Sequence, residues 1–125
     1  MRKQYHFRRG EQGLLVWDVE RLIELSQGLP RAEVELATVR ELDEPYWFRE
    51  TANEPTCRAV VEHMQLIKDA DPSFPIILSA DGRVMDGMHR VAKALLAGRS
   101  TVLAVRFERD PEPDYLNRPA GDLPY

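Results

Sequence analysis

Five consecutive residues, Asp86-Gly87-Met88-His89-Arg90, combine side chains that proteins use to bind phosphate. They precede a segment of apolar residues at helical spacing, which predicts a helix running to Ala97. The first backbone N–H groups of a helix lack intrahelical partners and carry partial positive charge. Gly87 would let an anion approach the backbone closely, and the Arg90 guanidinium could bind two phosphate oxygens. The run therefore predicts an anion site and points to nucleotide or phosphate chemistry.

Other polar side chains of this segment could assist. His89 could donate a hydrogen bond or titrate near neutral pH. Lys93 follows His89 by one turn on the same helix face. Asp86 has two possible roles: it could be the helix N-cap, or its carboxylate could hold Mg²⁺ or act as a base beside a nucleotide. A capped, solvated helix start without any ligand is the competing interpretation of the whole group.

A β-hairpin is expected directly before this run, within residues 75–85. Two apolar stretches, Ile76–Leu78 and Arg83–Met85, flank an Asp81-Gly82 pair, and Asp-Gly between such stretches is a strong hairpin signal. We expect a two-residue loop and a returning strand that ends at Met85. After the helix, Gly98 would be its C-terminal cap and Thr101–Phe107 a buried strand. The helix is expected to bury Met88, Val91, Ala92, Leu95 and Leu96.

The first half of the chain predicts two further helices and a strand. Asp18 is a candidate N-cap for a helix that stops before Gly28. Val34–Ala37 is expected to be a strand, and Pro55 is expected in the first turn of the next helix. His63 would lie beside the apolar stripe of that helix, as a surface histidine or one at the edge of the core. Its buried apolar stripe is predicted to contain Cys57, as an inert thiol, together with Val60, Val61, Met64 and either Leu66 or Ile67.

Three adjacent aromatic residues, Tyr46-Trp47-Phe48, follow a charged segment that starts at Glu41. They cannot all face one side of a regular element, so one or two are expected to pack into the core. The alternative is a lid, or a surface on which a base stacks, since loops often carry function.

Composition limits the classes of function. A length of 125 residues indicates one domain, and a formal net charge of -4 argues against a protein that binds DNA mainly through electrostatics. The single cysteine excludes an intramolecular disulfide, and no apolar run reaches the ~20 residues of a bilayer span. We expect a cytoplasmic protein whose domain covers residues 1–109, with an N-terminal extension over 1–30. The Pro-rich acidic tail, 110–125, would wrap the surface or be disordered.

The segment from Pro75 to Phe107 resembles the ParB/sulfiredoxin fold family, whose members carry a hairpin, a Gly-containing loop with Arg and often His, a helix and a closing strand. With the earlier strand and helix, the resemblance covers Arg31 to Arg109. It implies an α+β fold with a small mixed sheet packed against helices. It also implies that the loop and helix start, with Gly87, Met88, His89, Arg90 and Lys93, bind a nucleotide such as ATP, ADP or CTP with Mg²⁺.

The branches of that family imply different activities. Sulfiredoxins place a catalytic cysteine directly before His-Arg, and Met88 stands there in this chain. Because a thioether cannot attack a phosphoryl group, sulfiredoxin activity is not expected. Chromosome-partitioning ParB proteins add a helix-turn-helix domain, for which 125 residues leave no room. Free-serine kinases carry a similar Asp-Gly-x-His-Arg run, in which Asp86 would match an essential acid. Their second acid comes from an earlier segment, where Glu41 and Glu44 are candidates.

The leading expectation is a nucleotide-binding domain that hydrolyses nucleotide or transfers a phosphoryl group to a small molecule. The alternative is a non-enzymatic interaction or regulatory module that uses Tyr46, Trp47 and Phe48, with the acidic tail, to contact a protein partner. A DNA-binding or nuclease module is disfavoured by the net charge.

Overall fold

The computed structural model describes residues 3–49 and 54–125. Over these ranges the chain has an α+β fold with three α-helices and two small sheets. In chain order the elements are β1 (Tyr5–Gly10), β2 (Gly13–Asp18), α1 (Val19–Ser26), β3 (Ala32–Glu35), α2 (Cys57–Asp69), β4 (Ile76–Leu78), β5 (Val84–Asp86), α3 (Met88–Leu96), β6 (Thr101–Arg106) and β7 (Tyr115–Leu116). Within the described ranges no helix has the length and apolar character that crossing a bilayer requires.

The N-terminal sheet is antiparallel and joins the two ends of the chain. β1 and β2 form a hairpin, and β7 pairs with the other edge of β2. The Trp17 indole N–H donates to the Pro111 carbonyl over 2.8 Å. The Asp18 amide donates to the Asp114 carboxylate over the same distance, and Leu123 is buried. Residues of the acidic tail therefore pack against the N-terminal sheet.

The second sheet has the strand order β3-β6-β4-β5, with β4 and β6 parallel and the other pairs antiparallel. Alternate strand residues face opposite layers of the core. Ile76 and Leu78 belong to the cluster that includes buried residues of α3. Ile77 belongs to the cluster with Trp17 and Leu22, which connects this sheet to the N-terminal segment.

Local sequence signals placed several elements correctly, with small shifts. Asp18 is the N-cap of α1 and accepts from the Glu20 amide over 3.0 Å, as predicted. The strand expected at residues 34–37 lies at 32–35, because Leu36 starts a 3₁₀ turn and is buried. The hairpin turn is longer than two residues: the Ser79 amide bonds the Arg83 carbonyl, and the Ser79 hydroxyl accepts from the Arg83 amide. β5 consequently runs to Asp86 rather than to Met85.

Helix α2 differs most from expectation. Thr56 is its N-cap and accepts from the Ala59 amide over 3.1 Å, so Pro55 precedes the cap instead of lying in the first turn. None of the described residues of α2 is buried. The predicted buried stripe is wrong, because α2 meets α3 through a different face, the one that carries His63. The predicted stripe is exposed in four of its residues: Cys57, Val60, Val61 and Met64.

Helix α3 covers the sheet with three buried residues, Met88, Val91 and Ala94. The prediction that Leu95 and Leu96 would be buried is wrong, since they are 54% and 82% exposed. They lie in the last turn of the helix, after Ala94, which is the last residue that α3 buries. Gly98 ends the helix as expected: its φ is +75° and its amide donates to the Leu95 carbonyl over 3.0 Å.

Candidate functional site

The predicted phosphate run lies at the junction of β5 and α3. Asp86 is the last residue of β5, and Gly87 is the N-cap of α3. The N-cap role considered for Asp86 is therefore wrong. Gly87 has a φ of +102°, and a Cβ built on it would lie 2.8 Å from a methyl carbon of buried Ile76. Backbone conformation and packing thus require glycine here, independently of any ligand.

A cleft of about 570 Å³ opens at this junction. Gly87, His89 and Arg90 line it, so three of the residues predicted to bind phosphate share one surface. Asp86 lines it as well. The other lining residues come from the N-terminal segment, from α1 and the residue-31 turn, and from the end of α2 and the loop after it. They include the apolar side chains Ile23, Leu66 and Phe74 and the charged side chains Arg31, Asp69 and Asp71.

Arg90 and Asp86 form an ion pair at the cleft wall. The Arg90 Nη2 lies 2.8 Å from the Asp86 Oδ2, and both side chains are mostly buried. Nη1 of the same guanidinium donates to the Pro75 carbonyl over 2.9 Å. A guanidinium has five N–H donors, so these two bonds orient the group and leave donors for an anion. They also tie β5 to the chain before β4, which gives Arg90 a structural role.

The remaining two predicted phosphate ligands have other surroundings. Met88 is buried in the core beneath α3. The Lys93 ammonium donates to the carbonyls of Lys68 and Ala70, each over 2.7 Å, at the C-terminal end of α2. A cation bound to the last carbonyls of a helix stabilises its end. Lys93 therefore fixes α2 against α3 and does not line the cleft around Arg90.

The two glutamates proposed as a second acid lie at the start of β5, away from the cleft wall. Glu41 is 2% exposed, and its Oε2 accepts from the Val84 amide over 2.7 Å. Its Oε1 is buried without a hydrogen-bond partner among the described residues. Glu44 receives two hydrogen bonds from Arg83, over 2.7 and 3.0 Å. Burial, reinforced by the negative charge of Glu41, raises the pKa of Tyr46 to about 12, and this phenol stays protonated at neutral pH.

A group of stacked rings beside the cleft was not foreseen from the sequence. The Trp47 indole stacks on the rings of His63 and His89, with centroids 4.5 and 4.6 Å away. The Nδ1 of His63 lies 2.9 Å from the Nε2 of His89, and Phe48 meets His63 edge-on. We call the rings of Trp47, His63 and His89 together the imidazole stack. No local spacing could have revealed it, because its members come from three separate segments.

Both imidazoles of the stack favour the neutral form. Burial, then the positive charges of His63 and Arg90, lower the pKa of His89 to about 4. Burial also lowers the pKa of His63. A low pKa disfavours titration of His89 near neutral pH, whereas its predicted role as a hydrogen-bond donor is compatible with a neutral ring. Between two neutral imidazoles, one nitrogen donates and the other accepts.

The aromatic segment splits as the sequence indicated. Tyr46 and Trp47 are half-buried and pack against the core cluster that includes Leu36, which confirms that one or two of the aromatics reach the core.

Across residues 3–49 and 54–125, no group of three or more His, Cys, Asp or Glu side chains is arranged to hold a metal ion. Comparison of the chain with protein-family models, with curated proteins and with solved structures gave no match.

Proposed function

We propose that this chain is a ParB/sulfiredoxin-like domain that binds a nucleotide, or another phosphate-bearing small molecule, at the start of α3. The observation that carries the proposal is the cleft of about 570 Å³ on which the N-terminus of α3 and the Arg90 guanidinium both lie. The order β3, α2, β4–β5 hairpin, α3, β6 agrees with the resemblance from which the expectation arose.

The start of α3 supplies anion-binding groups of two kinds. By helix geometry, the amides of Met88 and His89 lack an acceptor within the helix, and the helix dipole adds partial positive charge. Arg31 and Arg90 add two guanidinium groups to the lining. The volume is within the range of small-molecule sites, roughly 300–1,000 Å³. The exposed ring of Phe74, near Leu66 and Ile23, offers an apolar surface for a base.

Three aspartates also line the cleft and would repel a polyphosphate: Asp69, Asp71 and Asp86. This charge pattern favours a ligand that arrives with a divalent cation. Mg²⁺ commonly binds through one or two carboxylates together with substrate phosphates, without a full protein cage. Asp86 is our candidate for that carboxylate, and a bound Mg²⁺ would supply neutralisation of phosphate charge.

If the protein catalyses a reaction, we expect hydrolysis or phosphoryl transfer. Arg90 would stabilise the charge of the phosphate oxygens, which is the main requirement of this chemistry. Asp86 would accept the proton of the attacking group, because its carboxylate lies on the cleft wall and is oriented by Arg90. Glu41 accepts from the Val84 amide and Glu44 accepts from Arg83 instead. We therefore infer that these two glutamates hold β5 in place.

Titration calorimetry with ATP, ADP and CTP, with and without Mg²⁺, tests the binding. We expect Mg²⁺-dependent binding of at least one nucleotide that is lost in Arg90→Ala. Because Arg90 also supports the fold, Arg31→Ala is the second variant; it should weaken binding about five-fold, the loss expected for one exposed charge-assisted contact. Arg58→Ala, on the exposed side of α2, is the matched control. Absence of binding up to millimolar nucleotide, or unchanged binding in Arg90→Ala, would overturn the proposal.

Phosphate release under the binding conditions tests the catalytic part separately. Asp86→Asn is expected to weaken Mg²⁺-dependent binding, because an amide oxygen is a poorer Mg²⁺ ligand than a carboxylate, and to abolish turnover at saturating nucleotide, because the amide cannot accept a proton. The wild-type protein could bind nucleotide yet show no turnover, with or without small hydroxyl acceptors. That result would support a nucleotide-binding domain and contradict the enzymatic assignment.

A further inference from the structure

We propose that His63 is a positioning residue of this site: it holds His89 in one orientation and one tautomer, so that the Nδ1 of His89 presents a proton to a bound phosphate. This inference rests on the proposed function for its ligand, but the arrangement it describes exists in the ligand-free protein. His63 lies on α2, whereas His89 lies in the first turn of α3 and lines the cleft.

The geometry restrains the His89 ring from two sides. The His63 Nδ1 lies 2.9 Å from the His89 Nε2, a normal hydrogen-bond distance. The Trp47 indole lies nearly parallel to the His89 ring, with an interplanar angle of 13°, and extends over His63 at 19°. One contact fixes the edge of the imidazole and the other covers its face. His89 therefore has little freedom to rotate while both contacts are present.

The hydrogen bond decides which nitrogen of His89 remains for a ligand. Since Nε2 is directed at His63, only Nδ1 is left to meet a group in the cleft. Phosphate oxygens are acceptors, so Nδ1 must carry the proton. A neutral His89 protonated at Nδ1 has a bare Nε2, which must accept from His63. The productive arrangement thus requires His63 to donate from its own Nδ1.

Burial is the first cause that keeps this pair neutral, and nearby charges act in opposite directions on its two members. Arg90 on α3 opposes a positive charge on His89, and Glu62 on α2 is the nearby charge that favours one on His63. The 46–48 turn contributes only aromatic rings to the contact. Loss of His63 would remove one of the groups that oppose protonation of His89 and would expose its ring. His89 should then titrate closer to its ordinary range.

Imidazole ¹⁵N NMR of the full-length protein tests the arrangement without a ligand, and only three histidines need assignment. In the wild type we expect His89 to be the Nδ1–H tautomer at pH 7, with no titration above pH 5. In His63→Leu we expect mixed tautomers and a titration between pH 5 and 7. His63→Asn should restore the wild-type tautomer, because its amide places an N–H near the position of the histidine Nδ1. An Nε2–H tautomer in the wild type, or a His63→Leu spectrum in which His89 is unchanged, would overturn the inference.

Nucleotide affinity against pH tests the consequence. Between pH 8 and 5.5 the His89 contribution to affinity should be constant in the wild type and in His63→Asn. In His63→Leu the affinity should be several-fold weaker at pH 7.5 and should recover toward pH 5.5, as His89 gains a charge. His63→Leu binding that equals the wild type at every pH would contradict the inference. If no variant binds nucleotide, the ligand part fails with the proposed function, while the NMR result alone decides the positioning of His89.

Discussion

Among the described residues, one histidine ring contacts a tryptophan ring in the N-terminal sheet and another does so beside the cleft, and the two pairs differ in their surroundings. The rings of His6 and Trp17 in the N-terminal sheet are tilted by 36°, with centroids 5.7 Å apart. The His89 ring is stacked on Trp47 beside the cleft, at 4.6 Å. In both cases burial is the first cause that lowers the histidine pKa to about 4. By residue type and by the direction of the pKa shift the two pairs look equivalent.

Their partners separate them. His6 and Trp17 are directly paired across β1 and β2, and the Arg8 guanidinium lies 4.7 Å from the Trp17 ring. Trp17 is 1% exposed, whereas Trp47 is half-buried on a turn. His89 begins a helix and meets a second imidazole. The first pair therefore lies within the N-terminal sheet, whereas the second joins a turn to the start of α3, and its His89 lines the cleft.

Replacing either tryptophan with alanine should show the difference between the two ring pairs most clearly. Trp17→Ala removes a fully buried ring and is expected to cost about 4 kcal/mol of unfolding free energy. Trp47→Ala removes a half-buried ring and should cost about 1–2 kcal/mol, with weaker nucleotide binding as its main effect. Urea unfolding at pH 7 measures both. Equal losses of unfolding free energy would mean that the Trp47 ring stabilises the fold as much as the Trp17 ring does.

Acid should destabilise the protein through His6 more than through His89. Between pH 6.5 and 4 the unfolded chain protonates His6 while the folded chain does not, so stability is full above pH 6.5 and falls as pH decreases toward 4. The total contribution of His6 is about 3 kcal/mol. His6→Leu should flatten the curve of unfolding free energy against pH by this amount.

The matched variant is His89→Leu, which should flatten the same curve less because the His89 ring is partly open to the cleft. Carboxylates contribute equally to all three curves, so the differences between variant and wild type isolate the histidines. A His6→Leu curve parallel to the wild type from pH 7 to 4 would refute the assignment.

Two glycines with positive φ test how rigidly each region is built. At Gly87 an added Cβ meets buried Ile76 at 2.8 Å, so Gly87→Ala should cost about 2–3 kcal/mol. At Gly13 it meets the exposed side-chain amide of Asn117, which can move only with loss of its hydrogen bond from the Leu14 amide, so Gly13→Ala should cost about 1–2 kcal/mol. Thermal or urea unfolding gives the order. The reverse order would show that the start of α3 adapts more readily than the hairpin turn.

The smallest expected effect belongs to Arg8. Arg8→Gln removes the charge over Trp17 and the 2.7 Å ion pair with Asp110, which is expected to cost about 0.5–1 kcal/mol because the pair is partly exposed. Nucleotide binding should be unchanged, in contrast to Arg90→Ala. A loss of binding in Arg8→Gln at intact stability would mean that the N-terminal sheet takes part in the site.

Features that depend on neighbouring residues were predictable. The N-cap at Asp18, the glycine after α3 and strand β6 follow from local hydrogen bonding and backbone conformation, and the structure has all three. The boundaries of two elements differ from the prediction because of a side-chain contact. The Ser79 hydroxyl accepts from the Arg83 amide and widens the hairpin turn, and β3 ends early because Leu36 packs into the core.

Features that depend on contacts between distant segments could not be predicted from the sequence. The periodicity of α2 correctly indicated an amphipathic helix, but its apolar residues Val60, Val61 and Met64 are exposed. Periodicity records that a helix has two kinds of face, whereas burial depends on which face another element covers. The same reason explains Lys93, whose expected place beside a phosphate is taken by the carbonyls at the end of α2.

By itself the sequence determined an α+β chain with Gly87, His89 and Arg90 at the start of a helix, because turn chemistry and helix geometry act over a few residues. Only the tertiary structure decided that Arg90 also binds the Pro75 carbonyl, that Glu41 lies with Val84 rather than at the cleft, and that His63 and Trp47 surround His89. These contacts join segments that are separated in the chain, and local spacing carries no information about which segments meet.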